Sequence, residues 1–167
     1  MKSLLLSVLC FFHIVAHTTT YYVSTTGNDA NPGTIGSPFF TWEKLSTVLV
    51  AGDIAYIRGG IYRSGKGPAS PWLVQWFNIN GTAGNPINIL AYPGESPVMD
   101  LSNVLSTVNG FGIYVRNCNY VNFKGLRITG WQQNPSGNSF FLWNNENCTN
   151  LKIEQCEVDN SQCYGFF

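Results

Sequence analysis

Histidine is nearly missing from this chain. Its two copies, His13 and His17, both lie at the extreme N-terminus. Mechanisms resting on a histidine base, or on histidine metal ligands, are close to excluded over the rest of the sequence. Charge is scarce as well. Asp, Glu, Lys and Arg make up 11% of the 167 residues and balance to zero. That leaves no basic face of the kind a nucleic-acid binder needs, so no nucleic-acid partner is expected. Long apolar runs are missing too. Leu4 to Ala16 is the longest, and it is too short to span a bilayer. What the chain does have is aromatic residues, at 14%, enough for a core and contrary to the composition of disorder. Its abundant Gly and Asn suit a fold that turns every few residues.

The N-terminus reads as a targeting segment. Lys2 precedes the apolar run, and Ile14 and Ala16 suit the −3 and −1 positions of a signal-peptidase site. Cleavage after Ala16 is expected, with residues 1–16 as signal peptide and 17–167 as one domain. Cys10 reads as an ordinary signal-peptide residue. The protein is therefore expected to be secreted or at the cell surface, monomeric, and free of the membrane after cleavage. Export permits disulfides among Cys118, Cys148, Cys156 and Cys163. Cys118 and Cys148, however, occupy equivalent positions of a repeat, which favours free cysteines stacked as small apolar residues. A disulfide between adjacent coils is the alternative. Two sequons, at Asn80 and Asn147, would accept glycans if the source is eukaryotic.

The repeat itself carries the fold. Residues 112–130 and 142–160 are two copies of the same pattern, in which Cys118, Val121, Phe123, Leu126 and Ile128 answer Cys148, Leu151, Ile153, Cys156 and Val158. Each copy consists of short apolar-alternating runs, the strand signature. A repeat of this size built from strands implies a solenoid in which each coil buries its inner face on the next. Gly165-Phe166-Phe167 echoes Gly112-Ile113-Tyr114 and would open a further coil, so a longer protein is expected. Upstream, short strands are expected at 21–24, 53–58, 73–79, 86–92 and 98–101. Thr41 can cap an amphipathic helix through Leu49, with Trp42, Leu45, Val48 and Leu49 at helical spacing. Such a helix would cover the open end of the solenoid.

Three ordered motifs, Y-Y-V-S-T-T-G-N-D-A-N-P-G-T (21–34), A-G-D-I-A-Y-I-R-G-G-I-Y-R (51–63) and G-T-A-G-N-P-I-N-I-L-A-Y-P-G-E-S-P-V-M-D (81–100), resemble the pectate lyases of polysaccharide lyase family 9. The resemblance implies an all-β, right-handed parallel β-helix. It also implies calcium-assisted β-elimination on an acidic polysaccharide such as pectate. In that chemistry Asp carboxylates hold calcium and a lysine removes a proton acidified by the metal. By the resemblance, the catalytic residues would fall after Phe167, so the segment ending there is expected to be inactive alone. Where family members place a calcium-binding Asp before a Gly-apolar pair, this chain has Cys163, and a thiol is a poor calcium ligand. Two other readings stay open: a non-catalytic glycan-binding or cell-surface structural module, and a glycoside hydrolase with paired carboxylates.

Few candidate site residues stand out. Asp159 and Glu157 alternate on one strand face and are candidate metal ligands, against a reading as solvated surface charge. Lys124, Lys152 and Arg127 could meet an anionic glycan, or simply keep strands soluble. Trp143, with Trp131, Tyr114 and Tyr120, could offer flat faces to sugar rings, though aromatics also fill β-helix interiors. Asp53 and Arg58 read as turn and structural residues.

Overall fold

The computed structural model describes residues 18–65, 72–104, 110–132, 141–162 and 164–166. Residues 1–16, expected to be a signal peptide, and Cys163 lie outside them. In chain order the strands are β1 (Thr20–Val23), β2 (Ile54–Ile57), β3 (Gly60–Arg63), β4 (Trp72–Phe77), β5 (Ile87–Ala91), β6 (Pro97–Asp100), β7 (Phe111–Arg116), β8 (Asn119–Lys124), β9 (Arg127–Thr129), β10 (Phe141–Glu146), β11 (Thr149–Glu154), β12 (Glu157–Asp159) and β13 (Tyr164–Phe166). Sheet A stacks β1, β2, β5, β8 and β11. Sheet B stacks β4, β7, β10 and β13, and sheet C stacks β3, β6, β9 and β12. Strands pair in parallel throughout. The chain visits A, C and B in turn, so each circuit is one coil of a parallel β-helix.

The register follows the repeat. Ile113 pairs with Trp143, Val121 with Leu151, Phe123 with Ile153 and Ile128 with Val158, each thirty residues apart. Trp143 in turn lies opposite Phe166, so the echo at Gly165-Phe166 does start another circuit. The preceding coils are longer: Ala55, Ile89 and Phe123 stack at intervals of 34. Inward positions of the inner coils bury completely, while Leu151, Ile153 and Val158 of the last described coil are partly buried. Val74, Ile113 and Trp143 line one wall, and Ala55, Ile89 and Phe123 another. Cys118, Cys148 and Cys156 carry no disulfide. Burial pushes the Cys118 thiol up to about 11, as expected for a cysteine used as packing.

Corners reuse one backbone solution. Asn78, Asn117 and Asn147 each take positive φ, at 59°, 53° and 50°, where sheet B hands over to sheet A. Asn tolerates this left-handed region better than most residues. The Asn117 Nδ2 donates to Asn78 Oδ1 at 3.2 Å, tying one corner to the next.

The expected capping helix over 41–49 is not formed. In its place stands a single 3-10 turn, Glu43–Thr47. Thr41 Oγ1 does accept the Lys44 N–H, at 3.3 Å. The helix stops because the Val50 N–H, which an α-helix would need, goes to the Asp53 carboxylate at 2.9 Å. The β-branched Thr47, Val48 and Val50 add little helical tendency to oppose that. The covering role survives the loss of helix. Trp42, Leu45 and Leu49 are buried, and the Trp42 ring lies parallel to Trp76 at 5.9 Å.

The first motif is built around a close backbone approach. Gly27 faces the Phe39 carbonyl so tightly that a Cβ would sit 2.0 Å from its oxygen. Nearby, the Ser24 N–H donates to that same carbonyl at 2.9 Å and the Asn28 N–H donates to Pro38 O at 3.0 Å. Gly27→Ala must separate two bonded segments, beyond what a flexible side chain could absorb. We expect it to destabilise the fold by about 2 kcal/mol or more, at the upper part of the overpacking range. A denaturation midpoint within error of the parent's would overturn this account.

Candidate functional site

The corner from sheet A to sheet C changes length between coils. After β8 the chain turns through Gly125 and Leu126 alone, whereas after β5 it runs through Tyr92–Ser96 before entering β6. The longer corner stands proud of the shorter one, and the step between them is a groove of about 610 Å³. That lies within the range of about 300–1,000 Å³ usual for small-molecule sites. Tyr56, Tyr92 and Pro97 contribute apolar surface, and Lys124, Arg127 and Gln155 contribute polar groups.

One wall is braced. The Arg58 guanidinium donates to both Glu95 carboxylate oxygens, at 2.6–3.0 Å. Glu95 Oε2 also accepts the Gly59 N–H at 2.6 Å. These bonds, the Arg58 contact foremost, hold the Glu95 carboxyl below its usual range. Arg58 also lies over the Tyr92 ring, 4.5 Å from its centre. Tyr92 meets Tyr56 edge-on at 5.6 Å, and Tyr56 stacks on Tyr22 at 5.9 Å. These three half-buried tyrosines escaped the sequence reading. The spacing of Tyr22 and Tyr56, which matches the 34-residue interval of the early coils, was the available signal.

The sequence-derived candidates divide clearly by position. Lys124 is exposed at the groove, and among the described residues it forms no salt bridge. Lys152 is on the next strand of the same outer face, paired with Glu154 at 3.1 Å. Arg127 lies across the corner, opposite Glu157 in register. It bonds Asp159 and approaches Glu157 at 3.6 Å. The Asp159 contact raises the Arg127 pKa, and Arg127, with help from Thr129, lowers that of Asp159. Asp159 and Glu157 thus share an outward face and hold a guanidinium between them.

That arrangement does not fit calcium, which takes six to eight oxygen ligands. Asp159 Oδ1 has no hydrogen-bond partner, but Arg127 sits on the other oxygen as a competing cation. Among the described residues, no three His, Cys, Asp or Glu side chains come together as a metal site would require.

Trp143 is fully buried, as is Trp131. Trp143 shares its inward direction with Ile113, its register partner, so its ring packs on Phe123 and Trp76 and cannot serve as a sugar platform. Tyr114 is buried as well. Its hydroxyl donates to Glu146, and burial foremost pushes its pKa up to about 12. Asn80 and Asn147 are both exposed.

The three parallel sheets wound as successive coils, with an external groove of aromatic and cationic groups, define the class as a parallel β-helix. The chain belongs to the Pel9A-like right-handed β-helix family, whose model it matches over residues 21–167. It is 34% identical to pectate lyase PEL9 of Emericella nidulans over 79 residues, which is 47% of this chain and 18% of that protein. A solved rhamnogalacturonan lyase superposes with a TM-score of 0.67 and 29% identity, over 88% of this chain and 37% of that one. Pectate lyase Pel9A superposes at 0.53 with 23% identity, over 84% and 37% respectively. A lacto-N-biosidase of Eubacterium ramulus, at 0.54 and 19% identity over 81% and 27%, shares the fold. The chain therefore spans well under half the length of these relatives.

Proposed function

We propose that this protein is a secreted polysaccharide lyase that cleaves an acidic polysaccharide such as pectate with the help of calcium. Residues 17–167 would supply its N-terminal coils and part of its substrate path. The observation that carries this reading is the family match over 21–167, nearly the whole of the described fold. The apolar run ahead of Ala16 supports export. Catalytic and calcium-binding groups would lie outside the described residues, where calcium would offset the uronate charge. Within them, Lys124 offers a cation to a uronate carboxylate, and the braced tyrosine cluster offers uncharged aromatic surface to sugars.

The test is incubation of a form that carries the expected downstream coils with polygalacturonate, followed by ultraviolet absorbance of unsaturated product; residues 17–167 alone should give none. Product should form with calcium and stop when a chelator is added. New reducing ends without unsaturation would replace the lyase with a hydrolase. Retention of the glycan without either product would make this a binding module.

A further inference from the structure

The groove continues onto the outer face of sheet A. There one outward residue on each of the first four strands forms a row, Tyr22, Tyr56, Leu90 and Lys124, which Glu154 continues on the fifth. Neighbours in such a row are about 4.8 Å apart, close to the advance of a polysaccharide by one sugar ring. Its first four positions have two unlike ends. Tyr22, Tyr56 and Tyr92 pack together at one, with ring centres 5.6–6.2 Å apart. Lys124 stands exposed at the other. The remaining charges around it are already matched: Arg58 to Glu95, Arg127 to Asp159 and Glu157, and Lys152 to Glu154. Glu154, opposite Lys124 in register, is thereby drawn toward Lys152.

We propose that this row is a glycan track selective for a sparsely charged acidic chain, with one carboxylate at Lys124 and uncharged sugars along the tyrosine cluster. The proposal rests on the acidic-polysaccharide reading above and narrows it. A fully ionised polyuronate would bring a carboxylate to every step of the row. Among the described residues only one unmatched cation awaits them here, with Glu95 and Glu157 close by, so the extra charges would lose water without gaining a partner. A neutral glycan would forgo the contact with Lys124. A uronan partly neutralised as methyl esters, or one alternating with neutral sugars, satisfies both ends.

Titration calorimetry in the presence of a chelator, which prevents turnover, tests this with galacturonan oligomers of one length. The oligomers are fully ionised, partly methyl-esterified or fully esterified. The partly esterified form should bind about tenfold tighter than either extreme, the scale of one charge-assisted contact. Lys124→Gln should equalise the partly and fully esterified forms while leaving affinity for the latter unchanged. Tyr56→Ala should weaken binding of all three, and Tyr56→Phe, which keeps the ring, should restore it. Tightest binding of the fully ionised oligomer, no binding of any, or an unchanged ranking in Lys124→Gln overturns the track. Lys124 is exposed, so its variant decides the matter even if Tyr56→Ala does not fold. If the track fails while calcium-dependent cleavage of pectate persists, the enzymatic reading stands alone. The predicted ranking without cleavage of any acidic glycan would leave the track and remove the lyase.

Discussion

Trp76→Ala should cost about 3–5 kcal/mol of folding free energy, the range for emptying a buried aromatic site. The ring is wholly inaccessible and sits where several walls of the coil converge. It lies parallel to Trp42 at 5.9 Å, stacks on Phe123 at 5.0 Å and meets Trp143 at 5.9 Å. Its Nε1–H donates to the Trp42 carbonyl at 2.9 Å. Truncation removes the apolar contact, opens a cavity rigid neighbours cannot fill, and takes from the Trp42 carbonyl the shorter of its two hydrogen bonds, leaving the Leu45 N–H at 3.3 Å. Since domains are stable by only about 5–15 kcal/mol, the variant should be partly unfolded at ambient temperature or close to it. Equilibrium urea unfolding gives the measurement. A midpoint shift worth less than about 1 kcal/mol would mean that the core repacks freely, contrary to close-packed interiors. Trp76→Phe keeps most of the stack and gives up the hydrogen bond, so its loss should be clearly smaller.

Asp53→Ala should cost about 2–5 kcal/mol through a different mechanism. Asp53 is fully buried and spends its carboxylate on two backbone donors: Oδ1 accepts the Thr19 N–H and Oδ2 the Val50 N–H, each at 2.9 Å. The residue thereby joins the start of β1, the end of the 3-10 turn and the start of β2. Alanine leaves both N–H groups without partners, at about 1–3 kcal/mol each. Asparagine retains one acceptor oxygen and turns an NH₂ toward the other donor, so it should recover only part of the loss. Thermal unfolding of the two variants beside the parent would show this order. Equal stability of Asp53→Asn and the parent would mean that one of the two bonds contributes nothing.

The fold was legible where the coils are regular. From Cys118 onward apolar residues recur every thirty positions, and the strands pair in that register. Upstream the interval lengthens to 34, and the alignment of Tyr22 with Tyr56 is lost among irregular corners. The role of Asp53 was hidden for another reason: Gly-Asp ahead of a strand reads as a turn, and nothing local reveals donors as distant as Thr19. Arg127 shows what pattern alone misses. It was counted as free positive charge because its partners Glu157 and Asp159 are a full coil away. Trp143 was recoverable, since it aligns with Ile113 and so must face inward.

The step that makes the groove has an evolutionary reading. Tyr92–Ser96 lies between two strands whose inward residues, Ile89 and Met99, stack in register with the coils on either side. The additional chain length is spent outside the core. A gene can therefore lengthen or shorten such a corner without disturbing the stacks beneath it, because surface loops accept insertions that packed layers do not. Descendants of one ancestral solenoid could in this way acquire different reliefs, and different substrates, while inheriting the same interior.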